Sequence, residues 1–268
     1  MSERLAPDRD VPGAFWVRFG PTQQSWVDPS RPDFLAFEYV QHIAMVLDHT
    51  VLDTPADQRL RIVHIGGAGM SLPRWVAWRR PGTAQVVCEP DVELTAEVRR
   101  KIPLAPRSGI KVRDVDGRAG LAAMPEAWAD VIIVDAFDGP SVPGELATVE
   151  CLDQLRRVSR GDAVVIYNVT DRAPFEWTKG LAAGLSARWR NLIVGMEPVV
   201  MKGKRFGNVV LAASDKRADT AAIERASAGL TIGYRWIVGA RARDWPGGAE
   251  PMTDDDATTS PGPRGRGW

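Results

Sequence analysis

The sequence has few residues of the kinds that hold metals or form disulfide frameworks. Its 268 residues include two cysteines and three histidines. Both cysteines lie within apolar runs, so we expect reduced thiols rather than disulfides. The histidines are scattered along the chain and have no spacing typical of a metal site. We therefore predict no bound metal. These residues are Cys88, Cys151, His42, His49 and His64.

The sequence also lacks a net charge, because 34 Lys and Arg residues balance 34 Asp and Glu residues. No overall electrostatic field would recruit nucleic acid or an anionic membrane. No apolar run is long enough to span a bilayer, and residues 1–12 do not resemble a signal peptide. We expect a cytoplasmic protein with no nucleic-acid or membrane partner. Its partners should be small molecules bound in a pocket, and a homodimer is one possible assembly.

Composition and patterning divide the chain into four regions. Residues 1–14 are predicted to be a flexible lead, and residues 15–52 a small β-hairpin followed by a helix that leads into the main domain. Residues 53–244 are predicted to form a Rossmann-like catalytic domain. Residues 245–268 are rich in Pro, Gly, Asp, Ser and Thr, so we expect a disordered tail.

Strand-like and helical patterns alternate through most of the main domain, which predicts a parallel sheet with helices on both faces. Two later segments, 191–200 and 208–213, flank a polar turn and predict an antiparallel pair. A doubly wound sheet that ends in one reversed strand is the architecture of class I S-adenosylmethionine-dependent transferases. The predicted fold is therefore α/β: a mostly parallel Rossmann sheet like that of class I methyltransferases, with a small N-terminal β-hairpin.

A glycine turn follows the first predicted strand of this sheet. It contains Gly66, Gly67 and Gly69, and the next strand ends at Glu89. Glycines let a backbone approach a ligand closely, and an acid about 20 residues farther on accepts hydrogen bonds from a ribose. Leu72 replaces the third glycine of the dinucleotide fingerprint, and such a turn can also simply reverse the chain. Because Glu89 accompanies the glycine turn, the pattern favours a nucleoside site.

Two carboxylates follow the apolar strand at 130–134. Asp135 lies at the carboxyl end of this strand, where open α/β sheets bind ligands, and Asp138 follows in a loop rich in proline and glycine. Neighbouring carboxylates and partial burial make a better base, and the pair would attract a cation. The alternative is that Asp135 caps a turn and Asp138 is solvated.

From about Gly20 to Ala213, these motifs resemble the spermidine synthase family of polyamine aminopropyltransferases, in particular its divergent bacterial branch. Gln24 resembles the glutamine of the family's hairpin, and Tyr39 ends a segment similar to its Phe-x-Tyr helix start. The remaining similarities are the glycine turn, the acid Glu89, the pair Asp116-Gly117 and the Asp-x-x-Asp element Asp135-Ala136-Phe137-Asp138.

The resemblance implies transfer of an aminopropyl group from decarboxylated S-adenosylmethionine to an amine, with release of methylthioadenosine. It implies a catalytic base at Asp135 and no prosthetic group, the sulfonium nucleoside being a co-substrate. The implied partners are this nucleoside donor and an amine acceptor. The implied substrate-binding residues are Gln24, Tyr39, Gly66, Gly67, Gly69, Glu89 on the ribose, Asp116 and Gly117 on the adenine, and Asp138.

Two positions depart from the family pattern. Val40 and Gln41 stand where the family usually has His or Gln and then Glu, groups that help to hold the cationic acceptor. Two alternatives therefore stay open. One is a methyltransferase that uses intact S-adenosylmethionine, and the other is a non-catalytic nucleoside-binding paralogue.

Overall fold

The computed structural model describes residues 4–19, 22–55 and 57–263. At the N-terminus, β1 (Leu5–Pro7), β2 (Phe15–Phe19) and β3 (Thr22–Val27) form a three-stranded antiparallel sheet. β2 and β3 are the strands of the predicted hairpin.

Part of the flexible lead predicted for residues 1–14 forms the strand β1 instead, and residues 1–3 lie outside the described residues. It pairs with β2, and Leu5, opposite Val17, is fully buried. Leu5 packs in a small apolar cluster with Val17 and Met70, so this strand is anchored to the main domain. A strand of three residues is too short to show an alternating pattern in the sequence.

The main sheet begins with β4 (Arg61–Ile65), β5 (Ala84–Cys88), β6 (Ile110–Arg113), β7 (Ala129–Val134) and β8 (Ser159–Asp171), which are mutually parallel. The helices that accompany them are α1 (Glu38–Asp48), α2 (Ser71–Arg79), α3 (Val92–Lys101), α4 (Gly117–Ala122), α5 (Val149–Val158) and α6 (Glu176–Arg188). The central strands β4 and β7 are mostly apolar because helices cover both faces of the sheet.

The rest of the sheet is antiparallel. Its strands are β9 (Asn191–Met196), β10 (Gly207–Ser214) and β11 (Arg235–Ile237), and the short helices around them are α7 (Pro198–Met201), α8 (Thr220–Ala228) and α9 (Ala240–Asp244). The strand order is β11-β9-β10-β8-β7-β4-β5-β6. The predicted α/β sheet with an antiparallel pair is confirmed. β11 adds a second reversed strand, which the sequence analysis missed because it has only three residues.

Two apolar cores lie on opposite faces of this sheet. Val63 and Ile65 pack on the face covered by α5 and α6, whereas Ile62 packs on the face covered by α1 and α2. This alternation follows from the two-residue period of a strand. Both cysteines are buried and free. In the described part of the chain, every helix is too short or too polar to cross a membrane.

Residues 245–263 of the predicted disordered tail have a defined structure, and residues 264–268 lie outside the described residues. Residues 249–263, here called the C-terminal strap, run across α5 and α6. The backbone of Val149 donates to Met252 O (2.8 Å), and Trp177 Nε1 donates to Thr258 O (2.8 Å). Ser260 is only 2% exposed. Hydrogen bonds rather than a large apolar face hold the strap, which is why its composition predicted disorder.

Candidate active site

A cavity of about 540 Å³ lies at the carboxyl ends of β4, β5 and β7, beside the N-terminal sheet. Nine of the ten predicted site residues line it: Gln24, Tyr39, Gly66, Gly67, Glu89, Asp116, Gly117, Asp135 and Asp138. A larger cleft of about 810 Å³ lies near the amino ends of β8 and β9 and contains none of these residues. The smaller cavity is therefore the candidate site, because open α/β sheets bind ligands at the carboxyl ends of their strands.

The glycine turn follows β4 and packs against the end of β7. Gly66 has a φ of +93°, and a Cβ atom there would lie 2.2 Å from the backbone oxygen of Asp135. The amide of Asp135 in turn donates to Ile65 O at 2.9 Å. Only glycine permits this approach. The turn therefore lies directly against the backbone of the predicted base.

Gly69 is the predicted residue that does not line the cavity. A Cβ atom there would lie 2.8 Å from Val27 Cγ2, 2.9 Å from Ser25 Oγ and 3.0 Å from Val17 Cγ2. All three neighbours belong to the N-terminal sheet. This glycine allows the small sheet to pack on the main domain, so it shapes the site without facing the ligand.

The Glu89 carboxylate holds the glycine turn in place. Its Oε2 accepts hydrogen bonds from the amides of Gly67 and Ala68, both at 3.0 Å, and its Oε1 accepts one from Asp91 at 3.0 Å. A carboxylate has about four acceptor positions, so at least one remains for a ligand. Glu89 can therefore accept a ribose hydroxyl while it also fixes the turn that encloses the nucleoside.

The Asp116-Gly117 pair lies at the start of α4. Asp116 caps this helix, since its Oδ1 accepts a hydrogen bond from the amide of Ala119 at 2.7 Å. A Cβ atom on Gly117 would lie 2.4 Å from Ile65 Cγ2 and 3.0 Å from Leu146 Cδ2. The glycine thus lets α4 approach the end of β4 closely. Asp116 Oδ2 makes no hydrogen bond among those found in the described residues.

Asp135 lies at the end of β7 and is partly buried. Burial raises the pKa of its carboxyl group to about 6, although hydrogen bonds from Asn168 and Tyr39 oppose that rise. The Asn168 Nδ2 donates to Asp135 Oδ1 at 2.8 Å. Burial and the negative charge of Asp135 also raise the pKa of the Tyr39 phenol, so this phenol stays protonated. Asp135 is ionised near neutral pH and can still accept a proton readily.

Asn168 was not predicted as a site residue. It is fully buried on β8, and its Oδ1 has no hydrogen-bond partner among the described residues. The signal was an amide directly after the apolar run at 163–167, where the predicted strand ended. Because β8 continues to Asp171, this amide lies within the strand beside Asp135.

His64 also lines the cavity, although the sequence analysis assigned it no role. Burial lowers its pKa to about 4. Gln85 Nε2 donates to Pro73 O, so Gln85 Oε1 faces His64 Nε2 at 2.9 Å as an acceptor. The ring is therefore neutral, with its proton on Nε2.

The N-terminal sheet contacts the loop that carries Asp138. Gln24 Nε2 donates to Gly139 O at 3.0 Å, and Thr170 Oγ1 donates to Pro140 O at 2.9 Å. Asp138 and Ser141 exchange two backbone hydrogen bonds, so the loop turns tightly at Gly139, whose φ is +60°. Gln24 thereby joins the hairpin to the loop beside the predicted base.

The two departures from the family pattern lie away from the cavity. Val40 is buried in the core between α1 and the sheet, and Gln41 Nε2 donates to Leu35 O at 2.6 Å. Neither is among the described residues that line the site. A charge at position 41 would therefore not enter the cavity directly.

No family model matches the chain, and no curated protein matches it in sequence. Among solved structures, a probable spermidine synthase from Corynebacterium glutamicum is similar, with a TM-score of 0.85 and 27% identity over 95% of this chain and 93% of the other. Spermidine synthase from Thermotoga maritima has a TM-score of 0.56 and 16% identity over 85% and 74% of the two chains.

Human methyltransferase-like protein 13, in complex with SAH, shares the fold with a TM-score of 0.58 and 21% identity, over 71% of this chain and 92% of the other. These neighbours are transferases. The similarity to the Corynebacterium protein extends over almost the whole of both chains. It confirms the resemblance to spermidine synthases drawn from the sequence motifs and the prediction that the chain is a transferase.

Proposed function

We propose that this protein is an aminopropyltransferase that uses decarboxylated S-adenosylmethionine and an amine acceptor, with Asp135 as the base. The observation that carries the proposal is the position of Asp135. This partly buried carboxylate, whose pKa is raised to about 6, lies against the glycine turn of a nucleoside-sized cavity. A volume of about 540 Å³ falls within the usual range for small-molecule sites.

The charge of the cavity lining favours a cationic donor and acceptor. Three arginines line it, of which Arg4 pairs with Asp91 and Arg118 pairs with Asp254. Six acidic residues also line it: Glu89, Asp91, Asp116, Asp135, Asp138 and Glu145. Decarboxylated S-adenosylmethionine carries an ammonium group and a sulfonium group but no carboxylate. An acidic lining stabilises such a ligand and its amine partner.

The proposed reaction is a displacement at the methylene carbon next to the sulfonium sulfur. The amine nitrogen forms the new carbon–nitrogen bond while the carbon–sulfur bond breaks. Sulfur keeps the electron pair, which leaves neutral methylthioadenosine. The nitrogen loses a proton, and the Asp135 carboxylate takes it. Positioning of the two substrates and this proton transfer would supply the rate acceleration, with the base contributing roughly 10²–10⁴-fold.

A methyltransferase that uses intact S-adenosylmethionine is the second candidate. It is favoured by the glycine turn and Glu89, which could hold either sulfonium nucleoside, and by the fold shared with human methyltransferase-like protein 13. The intact donor would bring its carboxylate into the acidic cavity, which counts against it. A non-catalytic nucleoside-binding protein is the third candidate, but it gives no reason for a carboxylate of raised pKa at Asp135.

The test is a product assay by mass spectrometry. The purified protein is incubated with each sulfonium donor and a panel of diamines and polyamines, with Asp135→Asn as the control. The proposal predicts an acceptor heavier by one aminopropyl group, together with methylthioadenosine, from the decarboxylated donor only. A methylated acceptor and S-adenosylhomocysteine would support the second candidate. Binding of methylthioadenosine without turnover of either donor would support the third.

A further inference from the structure

We propose that the C-terminal strap is a positioning element of the active site. It holds the loop at residues 138–146, here called the site loop, in the conformation that lines the cavity, and so sets the affinity for the nucleoside. The inference rests on the proposed function in that a nucleoside is taken as the ligand. Asp138, Gly139, Pro143, Glu145 and Leu146 of the site loop line the cavity.

A reciprocal pair of hydrogen bonds joins the strap to the site loop. The amide of Ser260 donates to Val142 O at 3.0 Å, and the amide of Val142 donates to Ser260 Oγ at 2.8 Å. Both residues are buried, so water cannot readily replace either bond. Ser260 therefore fixes the centre of the site loop.

The backbones of strap and loop also pack directly against each other. A Cβ atom on Gly144 would lie 2.5 Å from the backbone oxygen of Thr258. That oxygen also accepts the hydrogen bond from Trp177 Nε1, which ties the strap to α6. The glycine at 144 is therefore required for the strap to lie against the site loop.

Arg118 connects the strap to the end of the cavity at which the resemblance places the adenine. It follows Gly117 on α4, lines the cavity, and forms a bidentate pair with Asp254 of the strap at 3.0 and 2.8 Å. The same guanidinium donates to Glu145 O of the site loop at 3.1 Å. One side chain thus contacts strap, loop and cavity at once.

These contacts have a consequence for binding. A loop held by such contacts spends most of its time in one conformation. The apparent affinity for a ligand is proportional to the fraction of molecules in the binding conformation, so it falls when this fraction falls. Loss of one supporting hydrogen bond is expected to weaken nucleoside affinity roughly two- to tenfold. Among the described residues, the hydrogen bonds found for Ser260 are with Val142 and none is with the N-terminal sheet or β4, so the conformation of these elements should be unchanged.

The experiment compares two pairs of full-length variants. Ser260→Ala is matched with Thr259→Ala, and Asp254→Asn with Asp255→Asn, since Thr259 and Asp255 are exposed neighbours whose side chains make no hydrogen bond or ion pair found among the described residues. Hydrogen exchange of the peptide that spans the site loop is measured by mass spectrometry. Calorimetric titration with methylthioadenosine is done under the same conditions, with exchange in β4 as a check on the fold.

We expect faster exchange in the site loop and weaker methylthioadenosine binding in Ser260→Ala and Asp254→Asn, with both control variants and β4 unchanged. Unchanged loop exchange in both test variants would overturn the proposal, and so would faster loop exchange without any loss of affinity. If the parent protein binds no methylthioadenosine, the proposed function fails. Loop exchange still decides in that case whether the strap holds the loop.

Discussion

Asn168 Nδ2 donates a hydrogen bond of 2.8 Å to Asp135 Oδ1, because Asp135 directly follows β7 and Asn168 lies beside it within the neighbouring strand β8. Burial raises the pKa of the Asp135 carboxyl to about 6, and this hydrogen bond opposes the rise because it favours the ionised form. The balance keeps a partly buried carboxylate ionised near neutral pH.

The proposed reaction should lose activity in acid. Since Asp135 must be ionised to accept the proton, kcat/KM should fall about tenfold per pH unit below a pKa of about 6. His64 cannot cause this acidic limb of the pH profile, the fall in kcat/KM at low pH, because the pKa of His64 is lowered to about 4. A pH profile of the parent and of His64→Gln checks the prediction. If the acidic limb disappears in His64→Gln, the histidine rather than Asp135 causes it.

Removal of the Asn168 amide should move that limb to higher pH. In Asn168→Ala the carboxylate loses a hydrogen bond worth about 1.5–3 kcal/mol, so the limb should rise by about one pH unit or more. Ser159→Ala is the control, because this serine lies on the same strand and donates to Leu155 O, far from the site. A shift of equal size in both variants would show that Asn168 acts only on general stability.

Asp135→Asn should also change how stability depends on pH. The folded carboxyl has a pKa of about 6 and the unfolded one about 3.8, so the parent loses stability as pH rises from 3.8 through 6. Asn does not titrate. The free energy of unfolding of the variant relative to the parent should therefore rise by up to about 3 kcal/mol between pH 4 and pH 7. Urea unfolding at several pH values measures it, and a pH-independent difference would contradict the assignment.

Glu89→Ala should weaken both ligand binding and the fold. Three backbone amides lose their acceptor, and a ribose would lose a hydrogen bond to a charged group, so methylthioadenosine affinity should fall by about 1.5–3 kcal/mol. The free energy of unfolding should fall by about 1–3 kcal/mol. Glu126→Ala is the control, because this glutamate is exposed and does not line the cavity. Unchanged affinity in a folded Glu89→Ala protein would remove Glu89 from the site.

The sequence predicted the parts of the fold that rest on apolar periodicity and on motif residues. Strong alternation of buried strands and helices identified the parallel sheet, and the predicted site residues other than Gly69 line one cavity. In the sequence, Gly69 cannot be distinguished from the glycines at 66 and 67. Its contact with Val27 and Ser25 depends on the packing of the N-terminal sheet, which a local sequence pattern does not predict.

Contacts between distant parts of the chain could not be predicted from the sequence. Asn168 reaches Asp135 because β8 and β7 pair in a particular register, and Ser260 reaches Val142 across 118 positions. The strap was predicted to be disordered because its composition offers few apolar side chains to bury. It is held by polar and backbone hydrogen bonds, which depend on geometry that composition does not contain.

The most direct test of the account is the turnover number of Asp135→Asn with decarboxylated S-adenosylmethionine and the best acceptor from the panel, measured beside its affinity for methylthioadenosine. The variant keeps the size of the side chain and its hydrogen bond from Asn168, but it cannot take the proton from the amine. We expect kcat to fall roughly 10²–10⁴-fold with nucleoside affinity nearly unchanged. Asp138→Asn should instead raise the acceptor KM more than it lowers kcat. Full activity of Asp135→Asn would contradict the proposed mechanism.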